Sequence, residues 1–259
     1  MLRKRLVGVV TVKQGYAVQS IGYRRYLPLG RPELLVENLD RWGADEIIVQ
    51  CIDRSPSSLG PDLEVLGRIS RLGISTPLIY AGGIRHRDDA VKVVSFGADR
   101  IMIDAMTFDD TEGIKEISCS LGTQAVVAQL SLRILDDNIL RYDYRRGIEH
   151  KLHENGRSKY FDWVSEVMLT DWLHDGYAEM FDERLVDRCS FLNKPLLCFG
   201  GISSPAQIER LLNYNSVVAV GIGNFLNYKE HNIQIIKQKI LNRHLRPPEY
   251  QSCEYFEYD

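Results

Sequence analysis

The chain has 259 residues, of which 44% are hydrophobic, and a net charge of −3 at neutral pH with both signs interspersed. This length suits one or two domains, and one complete α/β barrel fits it well. The sequence carries no basic stripe of the kind that binds nucleic acid. No apolar run approaches the roughly 18–20 residues that cross a bilayer as a helix. We therefore expect no nucleic-acid partner and no membrane partner.

The cysteines indicate a reducing compartment. They are odd in number, are scattered and contain no C-x-x-C pair: Cys51, Cys119, Cys189, Cys198 and Cys253. That pattern favours free thiols over a disulfide framework or a zinc site. The basic N-terminus precedes a short apolar run that Lys13 and Gln14 end, so it predicts a strand rather than a signal peptide. We expect a cytoplasmic protein with no metal and no cofactor.

The first half of the chain predicts four strands that alternate with helices. The strands fall at residues 6–12, 47–49, 77–79 and 101–103, and the helices at residues 31–41, 61–71, 85–96 and 110–120. The polar stretch over residues 14–30 predicts a long loop. Strand and helix in strict alternation indicate a parallel sheet.

The second half predicts four more strands, at residues 125–130, 167–169, 195–198 and 217–222. Helices are predicted at residues 182–192, 203–213 and 231–243. Residues 134–144 alternate around Asp136-Asp137-Asn138 and predict a hairpin that protrudes after the fifth strand. Residues 148–155 predict a short helix closed by Gly156. Residues 249–259 form an acidic, Tyr-rich tail.

One unit occurs twice. Gly82-Gly83-Ile84 and Gly200-Gly201-Ile202 each follow an apolar run and lead into a helix, 118 residues apart. The repeat predicts a (β/α)8 TIM barrel over residues 1–243, built from half-barrels of about 1–122 and 123–243, with a tail at 244–259. An open doubly wound sheet is the alternative, although near-duplicate halves favour closure. Such turns also bring backbone N–H groups close to an anion.

A set of short motifs carries a family resemblance. They are Lys4-Arg5-Leu6, Val12-Lys13-Gln14-Gly15, Gly43-Ala44-Asp45-Glu46, Ala81-Gly82-Gly83-Ile84-Arg85, Gly97-Ala98-Asp99-Arg100 and Glu166-Val167-Met168-Leu169-Thr170. As a set they resemble HisF, the cyclase subunit of imidazole glycerol phosphate synthase, over residues 1 to about 243. The resemblance implies a HisH-like glutaminase at the N-terminal face, ammonia passing up the barrel, and a phosphorylated small molecule at the C-terminal face, where a lyase reaction of histidine biosynthesis takes place.

The acid and base that the resemblance implies are replaced here. The family has aspartates at the ends of its first and fifth strands, where this chain has Thr11 and Ser131. A further family aspartate corresponds to Cys51. The pKa of a hydroxyl is far too high for an unassisted base near neutral pH, whereas that of a carboxylate can be tuned. We therefore expect the family's reaction not to run at normal rates.

The resemblance also implies phosphate sites at the C-terminal face. The matching positions are Gly82, Gly83, Asp175, Gly176, Gly200, Gly201 and Gly223. Arg85 and Arg87 add positive charge near the first glycine turn, but Asp104 lies where the family usually has an Asn-Thr pair. Gly223 replaces a serine. We expect the Gly200 side to be the better anion site. The alternative, that the glycine pairs only permit the turns, stays open.

Four charged residues lie where strands one, two, four and six begin. Arg5, Glu46, Arg100 and Glu166 match a charged gate that the resemblance places at the barrel floor, beneath the glutaminase. Buried charges are costly unless paired, so the balance of two against two suggests a ring. The functional interpretation is an ammonia entrance, and the structural one is a salt-bridged plug. Asp99 and Pro77 are expected on the same face.

Several single residues have simple alternatives. His150 and His153 suit a solvated helix face better than a metal site. Asp171, at the end of strand six, is either a replacement carboxylate or a ligand for loop amides, and Asp53 has the same ambiguity. We expect His174 to be an ordinary loop residue and Cys51 a small buried one. Trp163 and Trp172 are expected to pack around strand six.

Three functions remain open on this evidence. The leading hypothesis is a HisF-like subunit that channels ammonia to a separate sugar amidotransferase, a role that divergent members have in surface-polysaccharide and lipopolysaccharide pathways. The second is a genuine cyclase that uses other carboxylates, such as Asp171. The third is a non-catalytic barrel that holds a phosphorylated ligand. The sequence does not separate the three.

Overall fold

The computed structural model describes residues 3–152, 159–240 and 245–248. The tail over residues 249–259, together with His153, Gly156 and Cys253, lies outside the described residues. The domain limits at 243 and 244 therefore stay a prediction.

Twelve strands make one continuous sheet. In chain order they are β1 (Arg5–Lys13), β2 (Tyr16–Ile21), β3 (Arg25–Gly30), β4 (Glu46–Cys51), β5 (Leu78–Ala81), β6 (Arg100–Ile103), β7 (Val126–Leu135), β8 (Asn138–Asp143), β9 (Ile148–Lys151), β10 (Glu166–Asp171), β11 (Leu196–Phe199) and β12 (Val217–Ile222). Eight of them pair in parallel, in the order β1-β4-β5-β6-β7-β10-β11-β12, and β12 pairs again with β1. This closure confirms the predicted (β/α)8 barrel and excludes the open sheet.

Seven α-helices cover the outside of the barrel in the described part of the chain. They are α1 (Pro32–Arg41), α2 (Leu63–Ser70), α3 (Arg87–Ser95), α4 (Thr111–Leu121), α5 (Arg184–Arg188), α6 (Pro205–Asn213) and α7 (Asn232–Lys239). Capping residues explain several starts: the Asp62 side chain accepts the N–H of Val65 before α2, and Ser204 accepts the N–H of Gln207 before α6. The helix predicted over residues 182–192 is shorter, because a 3-10 turn at Ser190–Leu192 follows α5.

The loop predicted over residues 14–30 is wrong: this stretch is a β-hairpin. Gln14 and Gly15 both have positive φ, 52° and 78°, and join β1 to β2 in a two-residue turn. Positive φ at both central residues is the geometry that matches strand twist in tight hairpins. β3 then pairs with β2, so the hairpin stands above the C-terminal end of the barrel.

The helix predicted over residues 148–155 is also wrong in its described part. Residues 148–151 form β9, which pairs antiparallel with β8 from Ile148 opposite Asp143 to Lys151 opposite Leu140. An isolated helix of this length is not stable in water, whereas a third strand completes the backbone hydrogen bonds of the edge of β8. The hairpin predicted over residues 134–144 is confirmed as β7 and β8, with Asp136 and Asp137 at positive φ in its turn.

The core has two parts. A large cluster lies between the strands and the outer helices. A smaller one fills the barrel axis, and its buried members are Val7, Val9, Ile48, Ile79, Ala81, Met102, Val127, Met168, Leu197, Phe199 and Ala219. This inner cluster separates a charged layer at the N-terminal ends of the strands from a polar layer at their C-terminal ends. The barrel therefore has two distinct polar ends and an apolar middle.

Candidate functional site

At the N-terminal end of the barrel, four side chains form a closed ring of alternating charge, which we call the floor ring: Arg5, Glu46, Arg100 and Glu166. Arg5 lies 3.0 Å from Glu46 and 2.7 Å from Glu166, nitrogen to carboxylate oxygen. Arg100 lies 3.0 Å from Glu46 and 3.4 Å from Glu166. Each arginine thus bridges both glutamates. The structure brings together all four residues that were predicted to meet at the floor.

Neighbouring carboxylates support the strands that carry the floor ring. Asp45 accepts the backbone N–H of Leu6 at 2.7 Å and lies 2.7 Å from the Lys237 ammonium. Asp99 precedes β6 as Asp45 precedes β4, and it accepts the N–H of Leu78 at 2.8 Å. The expectation that Asp99 and Pro77 share this face is met, since both are exposed beside the start of β5.

At the opposite end the barrel opens into a cavity of about 240 Å³. Its walls combine aromatic rings with amides, hydroxyls and one carboxylate. The aromatic residues are Tyr23, Tyr26, Tyr142, Tyr144 and Trp172, and the polar ones include Gln50, Gln129, Ser55, Ser131 and Asp104. Gly82 and Gly83 also line this cavity, whereas Gly200 and Gly201 do not.

The two hydroxyls at the expected aspartate positions are engaged by neighbours. The Gln50 amide nitrogen donates to Thr11 Oγ1 at 2.9 Å and to the Tyr23 hydroxyl at 2.8 Å. Ser131 Oγ donates to Asp104 Oδ2 at 3.1 Å. Ser131 lines the cavity, and Thr11 does not. Neither residue is a carboxylate, and their correspondence to the acid and base of the family stays a prediction.

A buried ion pair occupies the wall beside Ser131. The Arg141 guanidinium lies 2.8 Å from Asp104 Oδ1, and it also donates to Thr107 Oγ1. It lies over the Phe108 ring, 3.6 Å from the ring centre. The pKa of Asp104 is raised, because the effect of its burial exceeds the opposite effect of the Arg141 charge and hydrogen bond. Arg141 comes from the protruding hairpin, and no local pattern links it to a residue 37 positions away.

Aromatic side chains from three separate segments form the rim of the cavity. Tyr142 of β8 stacks on Trp172, with ring centres 4.5 Å apart and an angle of 19°. Tyr23 and Tyr26 come from the β2–β3 hairpin, where the Tyr26 hydroxyl donates to the Tyr23 carbonyl at 2.6 Å. The sequence interpretation missed these two tyrosines because it read their segment as a loop. Trp172 was expected in core or rim packing, and it lies at the rim, where it also lines the cavity.

The first glycine turn is packed against the loop after β4. A Cβ at Gly82 would lie 2.2 Å from the Cys51 carbonyl oxygen, and one at Gly83 would lie 2.1 Å from the Gly60 oxygen. The Gly83 N–H already donates to Ser55 Oγ at 3.0 Å. Arg85 and Arg87 contact Asp89 and Asp88 at 3.2 and 3.5 Å. These contacts are those of a tight turn between strand and helix.

The second glycine turn has the same environment. A Cβ at Gly200 would lie 2.4 Å from the Asp171 carbonyl oxygen, which corresponds to Cys51 in the repeat. The Gly201 carbonyl accepts N–H groups from Met180 and Phe181. A Cβ at Gly176 would lie 2.3 Å from the Ser20 oxygen. Gly223 packs beside Phe199. The loop that follows β10 thus lies directly against the predicted second anion site.

Asp171 orders its own loop. Its Oδ2 accepts the N–H of Asp182 at 2.9 Å and lies 2.8 Å from His174 Nδ1. It is fully buried and is not among the residues that line the cavity. Asp175 lies further along this loop. Its carbonyl accepts the Gly22 N–H at 2.7 Å, and burial raises the pKa of its carboxyl to about 7.

The other candidate residues from the sequence make contacts that stabilise the fold. Burial raises the pKa of the Cys51 thiol to about 12, which disfavours the thiolate form that a nucleophile needs at neutral pH. Asp53 accepts the Gln14 N–H at 2.9 Å. His150 lies in β9, with its ring 5.7 Å from that of Phe108. Within the described ranges, no three His, Cys, Asp or Glu side chains group as metal ligands, and no helix is long and apolar enough to span a bilayer.

Comparison with known proteins gives one consistent result. The family model described as "Histidine biosynthesis protein" matches residues 5–232. The putative imidazole glycerol phosphate synthase subunit hisF2 of Vibrio vulnificus (strain YJ016) is 26% identical, over all of this chain and 96% of the relative. Subunit HisF of Staphylococcus aureus (strain JH9) is 28% identical, over 93% of this chain and 97% of the relative. With its closed barrel, this chain belongs to the histidine biosynthesis protein family and is a HisF-type barrel.

Proposed function

We propose that this barrel is the ammonia-relaying subunit of a glutamine amidotransferase complex and does not catalyse the cyclisation of imidazole glycerol phosphate synthase. A HisH-like glutaminase docks on the floor ring and supplies ammonia. The nitrogen leaves at the C-terminal end for a separate cytoplasmic amidotransferase that acts on a sugar for surface polysaccharide. The relatives' names describe each of them as a subunit, which supports a role within an assembly.

The contrast between the two ends of the barrel carries the proposal. At the floor, two arginines and two glutamates make four ion pairs between 2.7 and 3.4 Å. At the other end, Thr11 and Ser131 replace the acid and base, and each is hydrogen-bonded to a neighbour. A barrel that keeps the entrance and lacks the catalytic pair is suited to transfer rather than cyclisation.

The middle of the barrel is compatible with transfer of a neutral molecule. Between the floor ring and the cavity lie apolar side chains such as Val7, Met102 and Leu197. Moving a charged ammonium ion through such surroundings carries a large desolvation cost, whereas uncharged ammonia avoids most of it. The apolar layer would also exclude bulk water from the path.

A cyclase is the second candidate, because one carboxylate does line the cavity. Asp104 lies beside Ser131, but its Oδ1 is paired with Arg141 and its Oδ2 accepts the Ser131 hydroxyl. Because both oxygens of Asp104 are engaged, this carboxylate is less available as a base than an aspartate with free oxygens at a strand end. Asp171, the carboxylate suggested by the sequence, is engaged by His174 and the N–H of Asp182.

The test is to purify the chain with its cognate glutaminase and to measure two activities separately. We expect the barrel to stimulate glutamine hydrolysis, and we expect no cyclised product from the ribulosyl nucleotide with either glutamine or free ammonia. Rapid cyclisation would establish the cyclase. Absence of both co-elution and stimulation would favour a barrel that only holds a phosphorylated ligand.

A further inference from the structure

The cavity at the C-terminal end has a chemistry that differs from that of an anion site. No Lys, Arg or His occurs among the described residues that line it. The Gly83 N–H is already used by Ser55, and the wall contains the Asp104 carboxylate. A phosphate placed here would find no cation in the wall, because the Arg141 guanidinium behind Asp104 is already paired with that carboxylate. The cavity is therefore suited to an uncharged group.

The wall carries hydroxyl groups, which both donate and accept, and the amides of Gln50 and Gln129. Both hydrogens of the Gln50 amide are used by Thr11 and Tyr23, and the Gln129 amide nitrogen donates to Thr170 Oγ1 at 3.2 Å. Neither amide oxygen accepts a hydrogen bond from the residues the structure describes. With the Asp104 carboxylate they form a set of acceptors, which matches a ligand rich in hydroxyl groups.

The remaining wall is aromatic, from Tyr23, Tyr26, Tyr142, Tyr144 and Trp172. Flat faces of this kind pack against a ring, and a few placed acceptors then fix its orientation. The volume of about 240 Å³ is of the size of a single sugar ring rather than an extended nucleotide. The part of the ligand inside the cavity is therefore an uncharged ring that carries hydroxyl groups.

A groove outside the cavity adds a cation. It shares Tyr142 and Trp172 with the cavity and is also lined by Arg24, Arg133 and Glu149. Arg133 is paired with Glu149 at 2.5 Å. Arg24 is exposed, lies 5.4 Å from the centre of the Trp172 ring, and forms no ion pair with any described residue. Arg24 is therefore available to an anion attached to a ring that enters past Trp172.

We propose that the C-terminal cavity and its adjoining groove bind a glycosyl phosphate, with the uncharged ring against Asp104, Gln50 and Gln129 and the phosphate at Arg24. This proposal rests on the proposed function in one respect: if the barrel does not cyclise a ribulosyl nucleotide, its cavity can bind another ligand. In this arrangement the Asp104 carboxyl group accepts hydrogen bonds from ring hydroxyls, and its contact with Arg141 holds it in place.

Binding is tested on the full chain with three probes: N-acetylglucosamine 1-phosphate, N-acetylglucosamine and inorganic phosphate. Calorimetry gives the affinities, and tryptophan fluorescence reports on Trp172, with Trp172→Phe assigning the signal. We expect the glycosyl phosphate to bind at least about tenfold more tightly than either of the other probes. Phosphate binding as tightly as the glycosyl phosphate would overturn the proposal, and so would a complete lack of binding.

Variants locate the two halves of the ligand. Asp104→Asn should weaken the glycosyl phosphate and the bare sugar by at least about tenfold, because a carboxylate is a stronger acceptor than an amide. Arg24→Gln should weaken only the phosphate-bearing probe, and Arg25→Gln on the same hairpin is the matched control. If Asp104→Asn does not fold, Gln129→Met replaces it. Equal losses in Arg24→Gln and Arg25→Gln would contradict the assignment of the phosphate.

Stimulation of the cognate glutaminase is measured on the same preparations, so the two proposals can fail separately. Intact stimulation without sugar binding overturns the ligand alone. Sugar binding without stimulation overturns the ammonia-relaying function alone.

Discussion

Gln50 donates its amide N–H to Thr11 Oγ1 at 2.9 Å, across the pair formed by the first two barrel strands. The same amide nitrogen donates to the Tyr23 hydroxyl, which ties the strand end to the β2–β3 hairpin. A hydroxyl accepts such a bond without bringing a charge into a buried position, since Thr11 is only 6% exposed. The strand end has thus become part of a neutral hydrogen-bond network.

Replacing Thr11 by aspartate should therefore not restore cyclisation. The Thr11→Asp variant would bury a carboxylate beside the Gln50 amide with no cation paired to it in the described structure, and we expect a loss of roughly 1–3 kcal/mol in the free energy of unfolding. Urea unfolding measures the loss, and a cyclisation assay measures the activity. Thr11→Val, which removes the hydroxyl without adding charge, is the matched control. Restored turnover in Thr11→Asp would contradict this view of the strand end.

The floor ring makes a prediction about both stability and coupling. Arg5→Met removes the cation that bridges Glu46 and Glu166, and we expect unfolding to become easier by about 3 kcal/mol because two mostly buried carboxylates lose a partner. Glutamine-dependent ammonia transfer should fall further than transfer from added ammonia. Lys115→Met, at an exposed ion pair with Glu112, is the control. Unchanged coupling in Arg5→Met would leave the ring as a structural plug.

The coupling energy between Asp104 and Arg141 should be much larger than that of an exposed ion pair. Arg141→Met leaves a buried carboxylate unpaired, and we expect a loss of about 3–5 kcal/mol. The Arg146–Asp109 pair, in which both side chains are about half exposed, should contribute at most about 1 kcal/mol. Double-mutant cycles by chemical unfolding measure both couplings. Similar coupling energies for the two pairs would contradict the burial of Asp104 as the dominant factor.

Asp175 predicts how stability changes with pH. Burial raises the pKa of this carboxyl from 3.8 to about 7, so the folded state holds the proton to higher pH than the unfolded state does. The stability it contributes is fully present below about pH 4 and is lost as the pH rises through about 7, a change of up to about 4 kcal/mol. Asp175→Asn should flatten this part of the profile. Parallel profiles for the two proteins between pH 5 and 8 would contradict the assignment.

The glycine turns predict a contrast between two alanine substitutions. Gly82 has φ +122°, and an added Cβ would lie 2.2 Å from the Cys51 oxygen, whereas Gly73 has φ +63° and open space around it. Gly73→Ala should cost about 1 kcal/mol of stability from backbone strain alone. Gly82→Ala should cost about 3 kcal/mol or more, because the backbone must also shift. Thermal unfolding of both variants measures the difference, and equal costs would mean that the turn is loosely packed.

The sequence alone was enough for the barrel, because its evidence is local and repeated. Alternating strands and helices, the duplicated glycine turns and the charged starts of four strands each follow from short-range pattern. Since parallel barrel strands all begin at one end, residues such as Arg5 and Glu166 had to meet once the barrel closed. The expectation that Thr11 and Ser131 replace two aspartates of the family also came from position in the motifs, and it stays a prediction.

The composition of the cavity was decided by tertiary structure. Arg141 reaches Asp104 only because the hairpin after β7 folds back over the mouth of the barrel. Tyr23 and Trp172 meet there from segments far apart in the chain. The loop after β10 packs on the Gly200 turn, and no local sequence pattern predicts that contact. Side-chain periodicity identifies which face of an element is buried, whereas the partner across a cavity depends on how distant loops pack.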